Sequence, residues 1–286
     1  MSRIHQALCR AEKDGRSSLP TPMTQEVTAT PYKTSSSEVF GPAKLENDRA
    51  PSVEVSIELV EEKTTLDSKI IAGTSDTYDQ LGQSLKNLRT KAEAAGSKLK
   101  SVMITSADSG EGKSLAATNL SIAVTRMYGQ RVLLIDGNLR HPSVHELLGM
   151  TRGRGLCDLL HGDCSASQII AKTNLPSFFV VIGGNTSKNP TELLNTRRMS
   201  DFLSLMRRQF DWVFLDAPAI LPHPDAELLS SFVDGVIVLS GSLTQPGSIL
   251  EVLQTLRGKN VLGLVMNGEI GPAHSEASRA VRTVAV

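Results

Sequence analysis

Six strand-length apolar runs dominate the second half of the chain: SVMITS (101–106), RVLLID (131–136), FFVVIG (178–183), WVFLDA (212–217), GVIVLS (235–240) and VLGLVMN (261–267). Most are continuous aliphatic or β-branched stretches without a polar residue at every second position. Each therefore predicts a strand covered on both faces, as in a parallel sheet. Helical patterns are expected before and between these runs, at about 76–95, 114–128, 191–209, 222–232 and 246–257. Strand, helix, strand in repetition specifies an α/β fold, a mostly parallel doubly wound sheet with helices on both faces. The ligand of such a fold lies beyond the carboxyl ends of its strands.

The rest of the chain reads differently. Aromatic residues amount to only 4% of it, sparse for a chain packed from end to end. Within residues 1–16, Ile4, Ala7, Leu8 and Ala11 form a helical stripe flanked by Arg3, Arg10, Glu12 and Lys13. A helix this short either frays or docks on a partner. Residues 17–75 read as an unstructured linker. Up to Ser52 they are rich in Ser, Thr and Pro, and 53–63 (VEVSIELVEEK) alternate so that an edge strand and a disordered segment are both open. The ordered domain is expected over 76–270, with an unstructured tail over 271–286.

Thirty Lys and Arg balance thirty Asp and Glu, so no global field favours nucleic acid or an anionic membrane. Cys9, Cys157 and Cys164 form no C-x-x-C pair and no clustered zinc set, which fits reduced thiols. No stretch approaches the ~18 consecutive apolar residues of a membrane span. The first residues, MSRIHQALCRAEKDGR, lack the apolar core of a secretory signal. A cytoplasmic protein without a transmembrane segment of its own is expected.

The first strand runs into Ala107-Asp108-Ser109-Gly110-Glu111-Gly112-Lys113-Ser114, and a helix opens at once with LAATNLSIAV. This is the context of a P-loop. Glycines let backbone N–H groups turn inward around phosphate oxygens, and the helix N-terminus adds its positive end. Lys113 would reach the β- and γ-phosphates of ATP, the Ser114 hydroxyl would bind Mg²⁺, and the loop from Ser109 through Leu115 would cradle the nucleotide. The strict pattern asks for Gly where Ala107 stands. Gly110 and Gly112 still flank the tightest part of the loop.

Two further strands end in carboxylates, at Asp136-Gly137-Asn138-Leu139-Arg140 and at Asp216-Ala217-Pro218. A strand-end aspartate alone can simply cap the next turn. Beside a P-loop, Asp136 and Asp216 are candidates for holding Mg²⁺, which prefers oxygen ligands.

A P-loop with GEGKS, a strand ending in D-x-N-x-R and a strand ending in D-A-P together resemble the bacterial protein-tyrosine kinases of capsule and exopolysaccharide synthesis. That family is related to the partition and septum-placing ATPases. The similarity covers about 76–270 and includes RHPSVHELLG (140–149), GLCDLLHGD (155–163) and NPTELL (189–194). It implies Lys113 and Ser114 on the phosphates and Mg²⁺, Asp216 as a further metal carboxylate, and Asp136 as the base that accepts the tyrosine proton. Asn267 matches a position from which relatives contact adenine, and a strand-end turn residue is the alternative. Arg140 would steady the phosphates or an adjacent subunit, or simply face solvent. Asp108 stands where partition ATPases carry a lysine, which favours the kinase branch.

The resemblance also implies a homo-oligomer at the inner membrane, held there by a membrane-embedded polysaccharide co-polymerase or chain-length regulator. Three departures bear on it. Asn138 replaces the second acid of D-x-D-x-R, removing a negative charge beside the metal. No tyrosine cluster ends the chain, whose tyrosines are Tyr32, Tyr78 and Tyr128. The E-x-x-R-x-x-R of ring assembly becomes Gln83, Lys86 and Arg89. Three functions are therefore compared: a tyrosine kinase, a degenerate nucleotide-switched regulator of the same machinery, and a partition-type positioning ATPase.

Overall fold

A computed structural model describes residues 60–61, 76–185, 189–267 and 282–284. The chain divides into two units, Met1–Ser56 and Ile57–Val286. The first lies wholly outside the described residues, and with it the helical stripe of residues 1–16 and most of the Ser/Thr/Pro segment.

Numbered in chain order, β2 (Ser101–Ser106), β3 (Val132–Asp136), β5 (Phe178–Val181), β6 (Trp212–Asp216), β7 (Gly235–Gly241) and β8 (Val261–Asn267) answer the six apolar runs. Among the described residues three short strands add to the margins: β1 (Val60–Glu61), β4 (Ala171–Lys172) and β9 (Arg282–Val284). The sheet order is β1-β4-β5-β3-β6-β2-β7-β8-β9. All pairings are parallel except β4 with β5 and β8 with β9. Val60–Glu61 thus forms a strand in the segment where strand and disorder were both open. Arg282–Val284 departs from the unstructured tail expected there, because pairing supplies partners for an outer strand's backbone.

The continuous apolar runs are explained by burial: every residue of β2, β3, β5 and β6 is buried. Two helices cover one flank, α1 (Asp76–Ala94) and α2 (Lys113–Tyr128). Helix α2 is itself buried from Ala116 through Thr125. It carries Thr118, Ser121 and Thr125 inward because their hydroxyls donate to carbonyls four residues back, whereas the buried Asn119 amide has no hydrogen-bond partner. Gly129, at φ 61°, ends it in a left-handed cap.

Short helices α3 (Val144–Leu147) and α4 (Leu156–His161) had no periodicity long enough to be read. The single helix expected at 191–209 is two, α5 (Pro190–Leu194) and α6 (Arg197–Gln209). The break lies at Asn195 and Thr196. Thr196 adopts an extended backbone, and its hydroxyl donates to the Leu193 carbonyl at 2.8 Å, a local bond that competes with helix continuation. Helices α7 (Asp225–Ser230) and α8 (Pro246–Thr255) follow β6 and β7.

Register decides where the chemistry falls. In the β3–β6 pair Asp136 lies opposite Asp216, and in the β2–β6 pair Ile104 lies opposite Asp216. Both carboxylates therefore end adjacent strands at the edge from which the P-loop leaves β2.

The start of α4 is pinned to the chain leaving β5, where Leu156 N–H donates to the Ile182 carbonyl at 2.9 Å and Cys157 N–H to Gly183 at 3.0 Å. A Cβ on Gly155 would lie 2.2 Å from the Ile182 oxygen and 2.4 Å from the Gly184 nitrogen, both backbone atoms. Gly155→Ala is expected to destabilise the fold by about 1–3 kcal/mol in urea denaturation. Gly153→Ala, where a Cβ meets nothing within 4 Å, should leave the midpoint unchanged.

Candidate nucleotide and metal site

The loop between β2 and α2 turns through two residues in the left-handed region, Gly110 at φ 83° and Gly112 at φ 84°. These conformations suit glycine alone among common residues. Gly112 is doubly required, because a Cβ there would lie 2.3 Å from the Asn267 Nδ2 atom. Lys113 is buried, and its Nζ donates to Ser106 Oγ at 2.9 Å and to the Asp108 carbonyl at 3.1 Å, folding its ammonium back along the loop. Burial pulls its pKa down, opposed by the charges of Asp216, Glu111 and Asp108.

Asp136 is fully buried and accepts three backbone N–H bonds, from Asn138 at 3.1 Å, Ser143 at 3.0 Å and Val144 at 3.1 Å. Burial outweighs them, raising its pKa from the ordinary 3.8 to about 6. Asp216 is the more telling group. It is fully buried, and neither of its oxygens has a hydrogen-bond partner. Burial and then the Asp136 charge push its pKa well up, against the nearby Ser114 hydroxyl and Lys113.

A buried carboxylate is normally paired or hydrogen-bonded. Two strand-end carboxylates beside the Ser114 hydroxyl form an oxygen donor set suited to Mg²⁺, and the orphaned Asp216 oxygens fit such an ion. Among the described residues no three His, Cys, Asp or Glu side chains cluster as a self-contained metal cage. An ion here would complete its shell with phosphate oxygens and water, as Mg²⁺ does in nucleotide sites.

The loop separates two clefts. One, of about 620 Å³, is lined among others by Ser114, Leu115, Asn138, Arg140, His141 and His223. The other, of about 410 Å³, is lined by Asp108 to Gly112, Gly241 to Thr244 and Asn267. Ser109, Gly110 and Gly112 border both.

Some expected residues are differently engaged. Arg140 is part-buried at the wall of the first cleft and is held by an ion pair. Its Nε and Nη2 hold the buried Asp225 at 2.6 and 3.2 Å, and Nη2 also donates to Thr191 Oγ1 at 3.0 Å. The Asn138 amide oxygen accepts the His141 N–H at 3.3 Å within its own turn. The Glu111 carboxylate accepts the Gly241 N–H at 3.0 Å and the Thr244 hydroxyl, holding the loop to the β7–α8 turn.

Lys86 and Arg89, at the positions of the ring-assembly residues, pack on their own chain. Lys86 Nζ stands 4.1 Å over the Tyr128 ring, and Arg89 stands 5.0 Å over Trp212 while donating to the Asp211 carbonyl at 3.0 Å. Gln83 accepts the Tyr128 hydroxyl at 2.9 Å.

Ser143, Thr191, Asp225 and Thr244 escaped the sequence reading. Ser143 donates its hydroxyl to Ser114 at 2.9 Å while its N–H serves Asp136, joining the loop to the β3 turn. Ser143 and Thr191 lie in RHPSVHELLG and NPTELL, so those segments were the available signal. Asp225 and Thr244 carried none.

A P-loop at the carboxyl edge of a parallel sheet, with two strand-end aspartates in register, defines a nucleotide-binding protein of the P-loop ATPase class. No family model matches the chain. It is 37% identical over 197 residues to tyrosine-protein kinase YwqD of Bacillus subtilis, spanning 67% of this chain and 82% of that protein. It is 34% identical over 187 residues to tyrosine-protein kinase CpsD of Streptococcus pneumoniae, spanning 63% and 81%. The kinase domain of the Escherichia coli tyrosine kinase ETK superposes with a TM-score of 0.61 at 27% identity, covering 69% of this chain and 79% of that one. The septum site-determining protein MinD of Pyrococcus horikoshii, complexed with Mg-ADP, shares the fold at 22% identity and a TM-score of 0.51, over 59% of this chain and 70% of that one. The chain belongs to the bacterial tyrosine-protein kinase family.

The buried carboxylate pair makes a signed prediction. Both folded pKa values are raised, so the stability these groups contribute is full below 3.8 and is lost as pH rises through the folded values, about 6 for Asp136. Protein held without Mg²⁺ and nucleotide should lose melting temperature from about pH 4 to pH 7. Asp216→Asn should flatten that decline and raise the melting temperature at pH 7, while removing the stabilisation that Mg²⁺ with ATP gives the wild type.

Proposed function

We propose that this chain binds ATP with Mg²⁺ and transfers the γ-phosphoryl group to a tyrosine hydroxyl, acting within a capsule or exopolysaccharide machinery. The observation that carries this reading is the pair of unpartnered, buried Asp216 oxygens beside Lys113, Ser114 and Asp136 at one sheet edge. When bound, Mg²⁺ would neutralise phosphate oxygens, and Ser114, Asp216 and Asp136 are the residues that would hold it.

The chain's own groups supply the remainder. Loop N–H groups and the start of α2 cradle the phosphates, and Lys113 swings from Ser106 and Asp108 to the β- and γ-phosphates. Asp136, held rigidly by three N–H bonds, orients the attacking hydroxyl and accepts its proton. Arg140 acts through Asp225 and Thr191 to set the loops, not on the phosphates.

The acceptor is another protein or Tyr32, which lies outside the described residues. Tyr78 is buried, and the Tyr128 hydroxyl is bonded to Gln83. A second reading, a nucleotide-switched regulator with little transfer activity, is favoured by Asn138, an amide in place of a carboxylate. Assay with γ-labelled ATP and Mg²⁺ separates the two. The kinase reading expects label on tyrosine that falls by about 10²-fold or more in Lys113→Met and Asp136→Asn, and increases in Asn138→Asp. ATP binding with no labelled tyrosine and no released phosphate, in wild type and Asn138→Asp alike, would leave the regulator.

Among the described residues no helix is long and apolar enough to cross a membrane. We place the protein in the cytoplasm, at the inner membrane through a membrane-embedded polysaccharide co-polymerase, and as a homo-oligomer. The 76–270 domain is the catalytic unit, and residues 1–16 are the docking helix, tethered by 17–75 at raised effective concentration. Deleting residues 1–16 should abolish co-purification with that co-polymerase while ATP affinity stays unchanged. Undiminished co-purification would discard the docking role.

A further inference from the structure

Glu111 lies between the two left-handed glycines of the P-loop. Its side chain is turned toward the protein. Glu111 Oε2 accepts the Asp108 N–H at 2.9 Å, closing the loop on itself, and Oε1 accepts the Gly241 N–H at 3.0 Å and the Thr244 hydroxyl. Its backbone carbonyl accepts Asn267 Nδ2 at 2.9 Å. One residue thus ties the phosphate loop to the end of β7, the turn before α8 and the end of β8. Burial alone would raise the Glu111 pKa, but the bonds from Thr244, Asp108, Gly241 and Ser106 together hold it below the ordinary value, so the clasp is ionised.

The same residues form the 410 Å³ cleft. Its walls are the loop, the β7–α8 turn and Asn267, which Glu111 joins. The wall from the turn also carries Leu243, 90% exposed and the most exposed large apolar side chain among the described residues. The P-loop borders this cleft, so a nucleotide whose phosphates sit in the loop can place its nucleoside here. Leu243 then offers an apolar surface to a base.

The amide of Asn267 has a defined orientation. A backbone carbonyl accepts and cannot donate, so the group it binds must be the NH₂ end, which leaves Oδ1 as the amide's acceptor. Adenine presents an amino donor at its 6-position, and guanine a carbonyl acceptor. The second Nδ2 hydrogen remains a donor for N7, an acceptor that both purines share, so Oδ1 is the end that discriminates: it meets the adenine amino group and opposes the guanine carbonyl.

We propose that Glu111 is a positioning residue that sets base selectivity: its carboxylate clasps the loop to the β7–α8 turn, and its carbonyl fixes the Asn267 amide so that the site prefers adenine to guanine nucleotides. The proposal rests on the nucleotide reading above. It adds a residue that acts on the base from within the phosphate loop, and it requires glycine at 112, where a Cβ would collide with the Asn267 amide.

The test is calorimetric titration of the full chain with ATP, GTP and tripolyphosphate, each with Mg²⁺, for wild type, Glu111→Gln, Glu111→Ala and Thr244→Val. Wild type should prefer ATP to GTP by at least about tenfold. Both Glu111 variants should shrink that ratio to about threefold or less, with Thr244→Val shifting it the same way by less. General loosening of the loop weakens every ligand but leaves the ratio alone, so the ratio isolates the positioning role. If Glu111→Ala fails to fold, Glu111→Gln and Thr244→Val carry the comparison. An unchanged ratio in the folded variants, or a wild type without preference, overturns the proposal. Tripolyphosphate binding with no gain from either nucleoside overturns it while the phosphate loop stands, and a wild type that binds none of the three overturns the nucleotide reading as well.

Discussion

Two carboxylates buried side by side are the constraint around which this protein is arranged. Parallel register sets Asp136 opposite Asp216, both fully buried. Like charges in such a place disfavour each other's ionised form, and water does not compensate them. The fold meets one half of the problem itself, by aiming three N–H groups at Asp136. The other half, the two oxygens of Asp216, it leaves without a hydrogen-bond partner. A protein organised for stability alone would place a paired or apolar residue there. Asp216 is therefore read most economically as a group whose partner arrives with the nucleotide.

The loops at this edge are not independent. Ser143 bonds Ser114 with its hydroxyl and Asp136 with its N–H, so the β3 turn and the P-loop share one residue. Arg140, Thr191 and the buried Asp225 join the same β3 turn to the starts of α5 and α7. Glu111 joins the P-loop to the ends of β7 and β8. Most of these links are charge-assisted hydrogen bonds and all are at least partly buried, the kind that holds geometry where the dielectric is low. A shift of the P-loop on nucleotide binding would thus be felt at the β3 turn and at the β7–α8 turn together.

The same connections bear on how far this chain has moved from its relatives. Asn138 is an amide where the resemblance leads one to expect a carboxylate, yet its backbone N–H still serves Asp136 at 3.1 Å, so the hold on that carboxylate does not depend on the side chain at 138. Lys86 and Arg89 retain the spacing of an assembly motif but are engaged by Tyr128, Trp212 and Asp211 of their own chain. An assembly built on those side chains would first have to give up these contacts.

The sequence by itself determined the layer plan and the family to which the chain belongs. Continuous apolar runs can be buried only in a sheet covered on both faces, and Gly110, Gly112, Lys113 and Ser114 between a strand and a helix have few other uses. Asp136 and Asp216 were legible because each ends such a run. What only the tertiary structure decided is how these groups face one another. The opposition of Asp136 and Asp216 depends on register between strands far apart in the chain, and the lack of any partner for Asp216 depends on everything packed around it. Arg140 was open between the phosphates, an adjacent subunit and solvent, because nothing local marks Asp225, 85 residues away, as its partner. Glu111 looked like a loop residue because Gly241 and Thr244 reach it only through the β2–β7 pairing. Short-range pattern encodes which face of an element is buried, whereas hydrogen-bond partners across a sheet edge are fixed by strand order, which no local periodicity contains.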